Sequence, residues 1–291
     1  MNDSDEELAQ ILLSICEGFA EGDKIKIKHL SFAEETKIKK YYKKGFDLGL
    51  SQHLKPESEI IDEEINSGRW SLSREVYLKN LKKQINEVEE SKRKIKTFDV
   101  IDDIYENLQN LKSKLYKELE DRRNLLKDSA ETFANNYYNF YHICNSVYLW
   151  DGDWRLVTED YLDYCDSDEY YTVQNFFYKK LADLSIENIK KICINSFFYN
   201  GFHLSDKTFD YFLKPIYKLT NAQITLLRFA QTFSKIIVEI NDLPEDYSNI
   251  PDKILMYWYA IQNGAREKES KRDSTESKLK EMFNKVRAEG M

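Results

Sequence analysis

Residues Ser73 to Leu119 read SREVYLKNLKKQINEVEESKRKIKTFDVIDDIYENLQNLKSKLYKEL. They lie inside a stretch of 83 residues, Arg69 to Asp151, that contains neither glycine nor proline. Strands and turns need punctuation over that length, so the composition points to helix. Leu78, Leu81, Ile85 and Val88 recur at 3-4-3 spacing, a short coiled-coil seam. Ile101, Tyr105, Leu108, Leu111, Leu115 and Leu119 form a second seam. Between them Glu89 to Lys96 holds one apolar residue, Ile95, and Thr97-Phe98-Asp99 is the expected turn. The expectation is a long antiparallel helical hairpin from Ser73 to about Cys144. One continuous helix of about 100 Å is the alternative, from the rise of 1.5 Å per residue.

Outward from this stretch the chain stays helical in pattern. Leu8, Ile11, Leu12 and Ile15 suggest an amphipathic helix over Glu6 to Phe19, ended by Gly18 or Gly22. Lys24 to Lys28 alternates Lys and Ile, a brief extended segment. Ser31 with Glu34 reads as a capping box for a helix to Lys44, broken by Gly45 to Gly49. Pro56 suits the first turn of a further helix that Gly68 ends, and Ser71 or Ser73 caps the next. Of the 40 aromatic residues, 23 lie between Phe133 and Tyr217, the expected centre of a compact domain. Trp150-Asp151-Gly152-Asp153-Trp154 reads as a hairpin or tight loop. Helices are expected at Tyr170 to Ala182, Ser185 to Tyr199 and Ser205 to Phe212. Thr220 with Gln223 opens another through Ile240, and Pro251 begins one more. The fold class expected is mainly α: the long hairpin plus a compact aromatic-rich helical domain. The segments are 1–70, 71–132 (hairpin), 133–265 (aromatic core) and 266–291 (charged tail helix).

Nine glycines and four prolines are too few for a Rossmann sheet, a TIM barrel or a β-sandwich. A net charge of −8 argues against a dedicated nucleic-acid binder as a whole-chain property. Cys16, Cys144, Cys165 and Cys193 form no CxxC pair, so free thiols in a reducing compartment are expected. The acidic N-terminus does not read as a signal peptide, and no apolar run is long enough to span a membrane.

Chemistry-bearing residues are scattered. The acidic cluster Glu159, Asp160, Asp163, Asp166, Asp168 and Glu169 offers carboxylates to a hard cation, but its spacing fits no EF-hand. It reads more simply as a solvated acidic loop. His142 with Cys144, Cys165 and Cys193 lacks zinc-knuckle spacing. His29, His53 and His203 have no companion motif, and phosphate-loop, dinucleotide, HExxH and GxSxG motifs are missing. No catalytic residue, cofactor site or metal set is therefore assigned. Lys24, Lys26, Lys28, Lys37, Lys39, Lys40, Lys43 and Lys44, interleaved with Tyr41, Tyr42 and Phe46, make a local basic region. Phosphate contact with base stacking uses such residues, and a solvated helix face is the simpler reading.

Two groups of residues carry a resemblance. One is Gly68-Arg69-Trp70-Ser71-Leu72 followed by Glu75. The other runs from Tyr148-Leu149-Trp150-Asp151-Gly152-Asp153 through Leu219-Thr220-Asn221-Ala222-Gln223-Ile224-Thr225-Leu226-Leu227 and Glu239 to Ile250-Pro251-Asp252 and Trp258. Their order resembles a group of uncharacterised helical proteins of tailed bacteriophages, encoded near the virion and tail genes. The resemblance implies a non-enzymatic structural or morphogenesis role through helix-mediated protein–protein binding. It implies other phage structural or assembly proteins as partners, with a homo-oligomer as one arrangement. It places the protein in the host cytoplasm during assembly, or in the virion. Leu108, Leu111, Leu115 and Leu119 are the candidate partner-binding residues. Two alternatives stand beside it: a nucleic-acid-associated factor using the Lys24–Lys44 basic patch, with Lys37, Lys39, Lys40, Lys43 and Lys44 as its named binding residues, and a metal-dependent enzyme using the 159–169 acidic residues.

Overall fold

The computed structural model describes residues 3–20, 23–164, 167–195, 198, 202, 211–240 and 242–264. The fold is mainly α. The helices are α1 (Asp3–Leu13), α2 (Phe32–Ile38), α3 (Lys40–Ser51), α4 (Glu57–Asn66), α5 (Leu72–Lys92), α6 (Ile101–Leu125), α7 (Ala130–Ser146), α8 (Glu159–Tyr164), α9 (Ser167–Asp183), α10 (Ile186–Ile194), α11 (Asn221–Glu239) and α12 (251–264). The strands β1 (Ile15–Ala20), β2 (Asp23–Lys28), β3 (Val147–Trp150) and β4 (Trp154–Leu156) form one antiparallel sheet in that order.

Helical backbone stops at Lys92 and resumes at Ile101, so the continuous-helix alternative is excluded. Thr97-Phe98-Asp99 lies in this break, and the second arm ends at Leu125 instead of running on to Cys144. Ser129 then starts α7 by accepting a 3.0 Å hydrogen bond from the Thr132 amide. Local capping explains most other boundaries. Ser31 and Glu34 form the expected box, as do Thr220 and Gln223, whose two reciprocal bonds are both 3.1 Å. Gly68 turns the chain with φ +77°, and Gly152 turns the β3–β4 hairpin with φ +72°.

Two further sequence expectations fail here. The first helix does not reach Phe19: α1 ends at Leu13, Ser14 takes a left-handed conformation, and β1 begins at Ile15. The apolar spacing that suggested helix continues by coincidence into a strand, whose hydrogen bonds come from β2. The second concerns Gly45 and Gly49. The predicted helix is interrupted at Lys39, and α3 then runs straight through both glycines. They are close-approach residues. A Cβ on Gly45 would lie 2.7 Å from Tyr137 Cβ and 3.0 Å from Ala134 Cα of α7. A Cβ on Gly49 would lie 3.3 Å from Phe133 Cδ1 and 3.5 Å from Ala130 Cα.

The chain divides into two compact units. One comprises Met1–Arg74 and Leu119–Lys235. Its core joins Ile25, Ile27 and Val147 of the sheet with Ile143 and Cys144 of α7, Val157, and Val173 and Phe177 of α9. The other comprises Glu75–Glu118 and Ile236–Met291. It packs Ile95 and Ile101 against Tyr247, Met256 and Ala260. It also buries an ion pair: Lys92 Nζ is 2.6 Å from Glu89 Oε2 and 3.7 Å from Asp252 Oδ2, with 5% and 6% of the Lys92 and Asp252 side chains exposed. The unit boundaries fall inside α5, α6 and α11 and cut across the four sequence segments. The tail segment 266–291 and most of Ser205 to Phe212 lie outside the described residues.

Two stability predictions follow from this packing. Helix propensity alone favours Gly45→Ala by about 1 kcal/mol, but overpacking costs about 1–3 kcal/mol. Gly45→Ala is therefore expected to lower stability in urea unfolding, with Gly49→Ala closer to neutral. A stabilised Gly45→Ala protein contradicts the close crossing. Lys92→Met is expected to cost about 3–5 kcal/mol, because Asp252 loses a buried partner. Adding Asp252→Leu should recover part of that loss, and a strictly additive double variant would show that the pair does not interact.

Candidate functional site

Strand alternation sorts the sheet into two faces. Cys16, Ile25, Ile27 and Val147 turn inward and are buried. Gly18 belongs to this face because a Cβ there would meet the Phe176 ring of α9 at 2.8 Å. The opposite face carries Ile15, Glu17 and Phe19 from β1, Lys24, Lys26 and Lys28 from β2, Tyr148 and Trp150 from β3, and Trp154 and Leu156 from β4. Phe19 is 72% exposed and Trp150 47%. Trp150 and Trp154 are cross-strand partners and meet edge to face at 5.3 Å. Lys24 Nζ lies 5.3 Å and 5.1 Å from these two ring centres. Lys26 Nζ lies 4.1 Å from Trp154 and 5.4 Å from Tyr148. The face combines cations with aromatic rings. Sequence reading found the Lys-Ile alternation and the Trp hairpin separately, but nothing local signalled that they pair.

Lys37, Lys39, Lys40, Lys43 and Lys44 are all exposed on or between α2 and α3. Lys40 and Lys44 stand over the Tyr41 ring at 5.1 Å and 5.4 Å. That ring stacks on Tyr141 of α7 at 3.7 Å, which occupies one of its faces. The acids in the same stretch are engaged. Glu34 sits in its capping box with Lys28 at 3.2 Å, and Glu35 accepts a hydrogen bond from Asn221.

Along α6 the predicted partner-binding leucines separate. Leu108 is fully buried, so in the folded chain it is a core residue and not a free anchor. Leu111, Leu115 and Leu119 are half-buried, and Tyr116 is 65% exposed. On α5, Val76 and Tyr77 are exposed.

The groups that suggested chemistry are dispersed. Cys16, Cys144 and Cys193 are buried and in no disulfide, and burial pushes the Cys16 and Cys193 thiols up. Cys165, Asp166 and His203 lie outside the described residues. The acidic stretch is not one loop: Glu159–Tyr164 is α8, and Ser167 begins α9. Glu159 accepts a 3.1 Å hydrogen bond from Tyr141. Among the described residues no group of three or more His, Cys, Asp or Glu side chains could hold a metal ion. No described helix is long and apolar enough to cross a membrane. A polar hollow of about 310 Å³ between α1 and α9 is lined by Glu6, Gln10, Lys180 and Asp183. In it Lys180 Nζ lies 3.7 Å from Glu6 and 3.4 Å from Asp183.

No family model, no curated protein and no solved structure matches this chain.

Two histidines are buried and neutral. His29 accepts at Nε2 from the Gln10 amide, 2.9 Å away, so its proton sits on Nδ1. Burial, with His142 adding to it, pushes His29 down to about 4. Burial alone pushes His142 down to about 4. The unfolded chain binds these protons first, so the stabilisation is complete above about pH 6.5 and is lost as pH falls towards 4. Stability is therefore expected to decline between pH 6.5 and 5, before most carboxylates titrate. His29→Gln with His142→Leu should flatten that slope in pH-dependent urea unfolding, and an unchanged slope would contradict the burial of neutral imidazoles.

Proposed function

We propose that this chain is a non-enzymatic protein of phage virion or tail assembly, acting through helical surfaces that bind other structural or assembly proteins. The observation that carries the reading is the uneven covering of the α6 stripe. Ile101 and Leu108 are fully buried, while Leu111 and Leu115 keep part of their surface in water beside exposed Tyr116. Apolar surface left open on a helix is an available anchor, worth about 25 cal/mol per Å² when a partner covers it. The resemblance in the Gly68–Leu72 and Tyr148–Trp258 residues supports the same role. The binding set differs from the four leucines expected: Leu111 and Leu115, with exposed Tyr116, contact the partner, and Leu108 is a core residue.

Affinity capture from infected cells, with mass spectrometry, tests this. Wild-type protein is expected to recover virion or tail proteins, or a second copy of itself. The Leu111→Ala, Leu115→Ala, Tyr116→Ala variant should lose them while keeping its helical circular dichroism. Undiminished capture by the folded variant would sink the assignment.

A further inference from the structure

We propose that the outer face of the four-stranded sheet is a stacking platform for single-stranded nucleic acid. This site lies on β1–β4 and is independent of the α6 surface. Three observations converge on it. First, the face is open: Phe19 and Trp150 are exposed, and Tyr148 and Trp154 are only half-buried. Second, its rings stand on adjacent strands, which lie about 4.8 Å apart, with Trp150 opposite Trp154 and Tyr148 beside Lys26. Third, Lys24 and Lys26 lie over those rings, and Glu17, the cross-strand partner of Lys26, pairs with Lys24 at 3.8 Å. A lysine lying on a ring is an exchangeable cover. A base can take the ring face while the ammonium moves a short distance to the neighbouring phosphate, so both contacts are replaced by equivalent ones.

Charge and shape select the ligand. Rings on a sheet need an exposed base face, which a duplex keeps inside its stack, so the single strand is the partner. The cationic excess is small. Glu17 is 3.8 Å from Lys24, Glu34 holds Lys28 at 3.2 Å, and Asp151 is neutralised by Arg155 at 3.2 Å. Binding should therefore draw more on stacking than on phosphate contacts. With roughly two phosphates neutralised, the slope of log K against log salt is about −1.4. A site built on the five lysines of α2 and α3 would give a slope of about −3.5 on the same rule.

The test is fluorescence anisotropy of the full chain with fluorescein-labelled oligo(dT) of twenty nucleotides, its duplex of equal length, and heparin as competitor. The proposal expects oligo(dT) binding at low salt with the shallow slope, and at least about tenfold weaker duplex binding. Trp150→Ala with Trp154→Ala should weaken oligo(dT) by about tenfold or more. Lys24→Gln with Lys26→Gln keeps the rings, guards against misfolding of the first variant, and should weaken binding several-fold while flattening the slope. Replacing Lys37, Lys39, Lys40, Lys43 and Lys44 by Gln should leave binding largely intact. The proposal is overturned by an absence of binding at low salt. It is equally overturned by duplex binding as tight as single-strand binding, or by a loss confined to the five-lysine variant.

Discussion

Helices α3 and α7 can approach as they do only because Gly45 and Gly49 present no side chain where Ala130 and Ala134 pass. Small residues spaced by four on one helix meet small residues spaced by four on the other, so the backbones come close along a full turn. Tyr137 and Phe133 of α7 lie directly over Gly45 and Gly49. Tyr41 stacks on Tyr141, and Phe133 stacks on Tyr137 at 6.4 Å. This crossing fixes the direction of α7, and α7 runs without a break into β3 at Val147. His142, Ile143 and Cys144 occupy its last turns and enter the core beneath the sheet. The position of the Trp150–Trp154 hairpin is thus inherited from a contact with glycines more than a hundred residues upstream in sequence.

The same two glycines show where sequence reading works and where it stops. Caps were legible because their chemistry is local: Ser31 with Glu34 and Thr220 with Gln223 each complete their bonds within three residues. The helical break around Thr97 was legible for a similar reason, since the apolar pattern itself lapses there. Gly45 and Gly49 were read as punctuation because glycine disfavours helix in isolation, whereas tertiary packing made them necessary inside one. Ile15 was assigned to the helical stripe because its spacing from Leu8, Ile11 and Leu12 suits helix. Only the distant partner strand decides otherwise.

The candidate surfaces divide along the same line. The five lysines of α2 and α3 were visible as a run, and their exposure was foreseeable. The five-residue Lys24–Lys28 alternation and the Trp hairpin were each visible too, yet their juxtaposition depends on a strand pairing between residues about 120 positions apart. Leu108 and Leu111 look equivalent in a heptad. One is sealed in the core and the other half open, a difference set by what packs opposite them and not by their own spacing.

The sheet has a consequence for how the chain is made. The hairpin of β1 and β2 is synthesised before its neighbour β3, which follows more than a hundred residues later. Until then β2 has an unsatisfied edge, which is a template for pairing with a wrong chain. Charged side chains, lysine above all, blunt such edges. Lys24, Lys26 and Lys28 occupy alternate positions of that strand. Their charge disfavours pairing of that edge with a wrong chain until β3 arrives.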